Sequence, residues 1–192
     1  MNIKVTFLRL LKIAIISLSF VNPVYAGGSI SVFAGVKMME EETWAPVDSH
    51  QSVGAMIDFD ISEFNGNPLR LAVDYFSTED TGSFAGLEIT GETTELNIGV
   101  RVYHEGQNDM KFYFGGGLAM VEASYSGTLG SITVTDSDEA TGAWFNAGAK
   151  WYMGENFHLG VDMRVSFATV NLYGIDGDAG GTSIGLIAGA SF

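Results

Sequence analysis

Charged side chains recur in this chain at alternate positions rather than in runs. Asp58 and Asp60, Arg70 and Asp74, Glu95 and Arg101, and His158, Asp162 and Arg164 are each spaced by an even number of residues. Lys37, Lys111 and Lys150 also stand between small or apolar neighbours. Cations and carboxylates interleaved this way can do one of two things. They can neutralise one another in a closed network, because an unpaired charge held out of water costs several kcal/mol. Alternatively, they can line a permeation path in which a movable pair is the gate. The candidates for either role are Lys37, Asp58, Arg70, Asp74, Glu95, Arg101, Lys111, Lys150, Asp162 and Arg164.

Hydrolytic chemistry finds less support. It would need a base, a nucleophile and an orienting group within hydrogen-bond reach. The histidines are His50 in a polar connection, His104 near a short turn, and His158 among the alternating charges. His158 and Asp162 share a face but stand four residues apart, about 13 Å at ~3.3 Å per residue of strand. No serine falls at a usable spacing from a histidine. Cysteine is absent, which removes disulfide and thiol chemistry. Metal-binding spacings and nucleotide fingerprints are lacking too, and the triple glycine Gly115–Gly117 falls inside a strand pattern. The expectation is a protein that is not an enzyme and uses no cofactor.

A second set of carboxylates lies in longer polar connections. It comprises Glu40, Glu41, Glu42 and Asp48; Glu79, Asp80, Glu88 and Glu92; Glu122, Asp136, Asp138 and Glu139; then Asp176 and Asp178. One reading is a solvated acidic rim. The sharper one is divalent-cation binding, for which Thr135–Glu139 and Asp176–Asp178 offer hard oxygen ligands, without a full calcium-loop spacing.

The elements that must position these groups are strands. Eight segments alternate apolar and polar residues with period two. They are Ser29–Met39, Gln51–Ser62, Pro68–Thr78, Gly86–His104, Asp109–Tyr125, Ala140–Met153, Asn156–Val170 and Gly181–Phe192. Short turns follow the second, fourth and sixth: Glu63–Gly66, Glu105–Asn108 and Gly154-Glu155. Asn65-Gly66 is a strong hairpin signal. The other connections are long and acidic. Eight antiparallel strands joined this way predict an all-β, up-and-down barrel.

Periodicity alone leaves open whether the polar face is outside, as in a soluble barrel, or inside, as in a membrane barrel. Three features favour the membrane. All six basic residues after position 26 fall on the polar face and none in the long connections. That face is also rich in glycine, which suits the crowded inside of a narrow barrel. Aromatics gather near strand ends, with Phe59, Phe112, Trp151, Phe157 and Phe192 at the short-turn end and Tyr75, Tyr125 and Phe167 toward the other. Such girdles mark membrane interfaces.

The first 26 residues read as a cleaved signal peptide: Lys4, Arg9 and Lys12 precede an apolar run over Ile13–Val21, and Val24-Tyr25-Ala26 has small residues at the cleavage positions. The barrel domain is then 27–192. Losing the signal removes three of nine basic residues and none of 23 acidic ones, which takes the net charge from −14 to −17. That excludes nucleic acid as a partner.

The chain resembles the OmpA-like eight-stranded outer-membrane β-barrels. The resemblance rests on the signal peptide, Phe112–Leu118 (FYFGGGL), Phe145–Asn156 (FNAGAKWYMGEN) leading into Phe157–Val165 (FHLGVDMRV), and the terminal Phe192. It covers essentially all of 27–192 and is specific for architecture rather than function. It implies location in the outer membrane of a Gram-negative-type bacterium, and it implies that Phe192 is the signal read by the barrel-assembly machinery. The functional expectation is a monomeric structural or surface-interaction barrel with acidic outer loops and an ion-paired lumen. Lipid and lipopolysaccharide would be its partners, through divalent cations. A narrow ion or small-solute channel is the alternative, and a lipid-modifying barrel enzyme stands behind both.

Overall fold

A computed structural model describes residues 27–39 and 44–192. The expected signal peptide and Glu40, Glu41 and Glu42 lie outside the described residues. Eight strands close into an antiparallel barrel. They are β1 (Gly28–Met38), β2 (Ser49–Phe64), β3 (Asn67–Phe84), β4 (Leu87–Glu105), β5 (Met110–Leu129), β6 (Ile132–Met153), β7 (Phe157–Phe167) and β10 (Gly181–Ser191). Two further strands, β8 (Thr169–Leu172) and β9 (Ile175–Asp178), form a separate small hairpin. The last strand closes on the first, in a register running from Ser29 opposite Ser191 to Met38 opposite Thr182. All eight expected segments are thus found, in the expected antiparallel order.

The expected long connections need correction. Those after the third and fifth segments are strands, not loops. Pairing continues to Phe84 opposite Leu87 and to Leu129 opposite Ile132, closed by tight turns. Positive φ at Ala85 (+51°) and Gly86 (+84°) marks the first of these turns. β3 loses its β2 partner after Glu79, and β6 has none on the β7 side before Ala143. The extensions of β3–β6 therefore rise as a four-stranded wall above one half of the barrel. Glu79, Asp80, Glu88, Glu92, Glu122, Asp136, Asp138 and Glu139 lie on this wall. Main-chain pairing makes such extensions stable where a solvated loop would have to lose more conformational freedom to order. The seventh segment also ends early, at Phe167, and the chain then turns into the β8–β9 hairpin.

Burial settles which face meets lipid. Leu186 is 67% exposed, Phe114 65% and Val32 62%, whereas Lys37, Arg101 and Lys150 are at most 1% exposed. A water-soluble barrel would invert this pattern. Phe59 and Phe192 meet at the short-turn end, ring centroids 6.3 Å apart. Tyr125 departs from the expected girdle. It points inward and packs edge-on against Trp44 at 6.2 Å, because it shares the phase of buried Val121 and Ala123.

Candidate functional site

The barrel interior is filled from end to end by paired charges and rings. Inward glycines give these groups room: a Cβ at Gly148 would collide with the Tyr113 hydroxyl, one at Gly115 with the Arg101 stem, and one at Gly54 with the Phe76 ring.

At the short-turn end, Arg70 donates to Asp60 at 2.5 Å and lies 4.5 Å from the centre of the Tyr103 ring. Deeper, Asp58 accepts from Arg101 (2.6 Å), Tyr103 (2.5 Å), Ser29 (3.1 Å) and Lys150 (3.2 Å). Arg101 reaches on to Asp74, which also neighbours Arg164 at 2.8 Å. Arg164 lies 3.7 Å from Asp162, and its guanidinium makes ionic contacts here rather than aligned hydrogen bonds. Asp162 in turn accepts from Tyr113 and Asn146, both at 2.7 Å. Further along, Lys37 donates to Glu95, to Thr93 (3.1 Å) and to the Ala179 carbonyl (3.0 Å), while Ser166 donates to Glu95 (3.0 Å). Guanidinium groups also lie over aromatic faces, Arg164 4.1 Å from the Phe76 centroid and 4.9 Å from that of Trp144.

Nine of the ten sequence candidates enter this interior network. Five cations (Lys37, Arg70, Arg101, Lys150, Arg164) face five carboxylates (Asp58, Asp60, Asp74, Glu95, Asp162), so its formal charge cancels. Lys111 stands apart. It is at the short-turn mouth, partly exposed, paired with Glu105 at 2.7 Å and above the Tyr152 ring.

Beyond Lys37, polar groups give way to an apolar cap. His50 bonds Thr78 and the Val47 carbonyl, each at 2.9 Å. Above them Trp44 and Val47 from the first connection pack with Ile89, Val121 and Ala123 of the wall and Val170 of the β8–β9 hairpin. Trp44 anchors itself by donating from its indole nitrogen to the Asp178 carbonyl at 2.9 Å. Trp144 belongs to the same cluster and faces Arg101 and Arg164 below.

Several participants are absent from the sequence expectation. Tyr103, Tyr113, Asn146 and Ser166 occupy the same alternating face as the charges, so the period-two pattern itself was the signal for them. Trp44 had none, since it sits in a connection without periodicity. The expectation that no serine pairs with a histidine is corrected. Ser31 and His158 are hydrogen-bonded at 2.8 Å, although 127 residues apart, because both stand opposite Gly189 on β10. Both side chains are buried, and no carboxylate orients the other ring nitrogen of His158.

Three of the expected cation-binding acids, Asp136, Asp138 and Asp178, are engaged in main-chain contacts. Asp136 accepts from the Tyr173 backbone N–H (2.5 Å), Asp138 from that of Asn171 (2.7 Å), and Asp178 from Ala168 and Gly180 (3.2 and 2.8 Å). They clamp the β8–β9 hairpin onto the barrel and the wall. Among the described residues, no group of three or more His, Asp or Glu is arranged to hold a metal.

No family model and no curated protein matches this chain. Solved structures do. Ail of Yersinia pestis, in complex with the heparin analogue sucrose octasulfate, superposes with a TM-score of 0.60 at 14% identity, over 88% of this chain and 100% of that one. OprG of Pseudomonas aeruginosa gives 0.54 at 12% identity, over 87% and 95%. A major outer membrane protein of Thermus thermophilus gives 0.53 at 14%, over 88% and 99%. The fold is that of the small outer-membrane β-barrels. The apolar lipid-facing belt and charged interior of this chain suit that membrane.

Proposed function

We propose that the protein is a closed, non-conducting outer-membrane barrel whose role is structural and interactive at the cell surface. The observation that carries this reading is the neutralised charge network beneath an apolar cap. An ion crossing it would have to separate pairs such as Arg101–Asp74 and then displace Trp44 and its neighbours. Eight strands leave an interior only wide enough for side chains. In planar bilayers the expected result is no steady conductance. A stable conductance that changes when Arg101 or Glu95 is replaced would establish the channel reading instead.

Lipopolysaccharide is the proposed lipid partner. On the outward face, just above the apolar belt, Glu79 directly opposes Glu92 and Glu122 directly opposes Glu139. Like charges in register destabilise a sheet. A divalent cation shared with lipid phosphates would offset that repulsion, with the lipid supplying the remaining oxygen ligands. Phe192, at the barrel seam, is the proposed signal for the barrel-assembly machinery, and the barrel would act as a monomer. The sulfated ligand of the Ail complex does not transfer readily to this chain. Every described basic residue lies in the interior or at the short-turn mouth, so the outer surface repels polyanions.

A further inference from the structure

Between the wall, the first connection and the β8–β9 hairpin lies a cavity of about 190 Å³. Trp44, Tyr125 and Tyr173 supply aromatic groups to its walls, and Val170, Leu172 and Ile175 add aliphatic ones. The arrangement is built rather than loose. Trp44 is tied to Asp178, Tyr125 packs against Trp44, and the Tyr173 hydroxyl donates to the Tyr125 carbonyl at 3.2 Å.

Tyr173 occupies an unfavourable backbone position. With Gly174 it forms the two-residue turn of the hairpin, at φ +53° and +81°. Such a turn favours Asn-Gly, and a bulky residue at positive φ is an outlier. Strain of this kind persists where surroundings enforce it and concentrates at ligand sites. Here Asp136 fixes the Tyr173 backbone N–H, and its ring remains half-exposed at the cavity.

The surroundings have one sign of charge. Asp136 directly opposes Tyr125 across β5–β6, so the two side chains share the face that overlooks the cavity. Asp138 and Asp176 hold the adjoining hairpin, and no described lysine or arginine lies at this end outside the buried Lys37 pair. Aromatic faces present negative potential to a cation, and nearby carboxylates add to it. We infer that this cavity is a binding site for a small organic cation of the quaternary or primary ammonium class. A neutral apolar guest would use the rings but gain nothing from the carboxylates, and an anion would be repelled.

The test uses the whole protein folded in a non-ionic detergent, with tryptophan fluorescence followed as choline chloride is added against sodium chloride at equal ionic strength. The neutral isostere 3,3-dimethyl-1-butanol runs in parallel. Saturable choline binding is expected, at least about tenfold tighter than the alcohol, as one desolvated cation–π interaction allows. Tyr173→Asn places a favoured residue in the turn, so the hairpin is retained while the ring is lost, and binding should fall about tenfold or more. Tyr173→Phe keeps the ring and should keep binding. Equal binding of the alcohol, no saturable response to choline, or wild-type affinity in Tyr173→Asn would overturn the assignment. Phosphocholine separates the sources of the cation: its acceptance points to a lipid headgroup, and its rejection by the carboxylates points to a free ammonium compound.

Discussion

Asp58 is the residue on which most of the interior network converges. It neutralises Arg101 and Lys150 and accepts from Tyr103 and Ser29. Asp58→Ala would leave two buried cations short of a partner, a loss on the order of 3–5 kcal/mol. Urea titration in lipid vesicles, read by the gel shift of the folded barrel, should show that loss. The Lys111–Glu105 pair at the mouth is the natural contrast, since both groups retain solvent. Lys111→Ala should change stability by no more than about 1 kcal/mol in the same assay. Equal effects of the two substitutions would argue that the interior is wet enough to screen its charges. The sequence placed both residues on the same face, because alternation reports direction and not depth. Only the register shows that Lys111 stands at the mouth and Asp58 well inside it.

At the scale of elements, the barrel staves and the outer wall have different duties. Within the belt each strand pairs on both sides, and its outward side chains meet lipid. Above the belt β3–β6 pair only among themselves, and the tip of β5–β6 exposes Leu129, Ile132 and Val134. Replacing residues 127–134 by Asn-Gly would join Ser126 to Thr135, which already face each other. The shortened protein should remain folded, with the boiled and unboiled samples still migrating differently. Loss of that difference would mean that the tip takes part in forming the barrel. The strands themselves were legible, since Ile, Val and Phe at every second position require one apolar face. The wall was not. Its extension beyond the expected segments is polar on both faces around Thr135–Glu139, and there no alternation of hydropathy is left to read.

The whole molecule separates its charges by compartment. Among the described residues, the few cations are neutralised inside or stand at the short-turn mouth, and most carboxylates outside the interior network populate the outer wall and hairpin. At physiological ionic strength a surface charge acts over about 8 Å, so an approaching polyanion meets a field of one sign. The protein should therefore pass through a heparin-type resin at physiological salt without retention. Retention abolished by modest added salt would overturn this reading of the outer field. The same field favours cations, which unites the proposed lipid bridge and the aromatic cavity in one electrostatic design.

By itself the sequence determined the barrel, its strand order, the inward charges and the aromatic closing strand. Those properties follow from period two and from turn chemistry, which are local. Tertiary structure alone decided which charge meets which, because partners such as Lys37 and Glu95 or Lys150 and Asp58 come from different strands across the lumen. It also decided that Trp44 folds back as a cap, that Ser31 meets His158, and that the acids of the outer hairpins bind backbone N–H groups. Each of these depends on barrel closure bringing together segments tens of residues apart, and no local pattern records that distance.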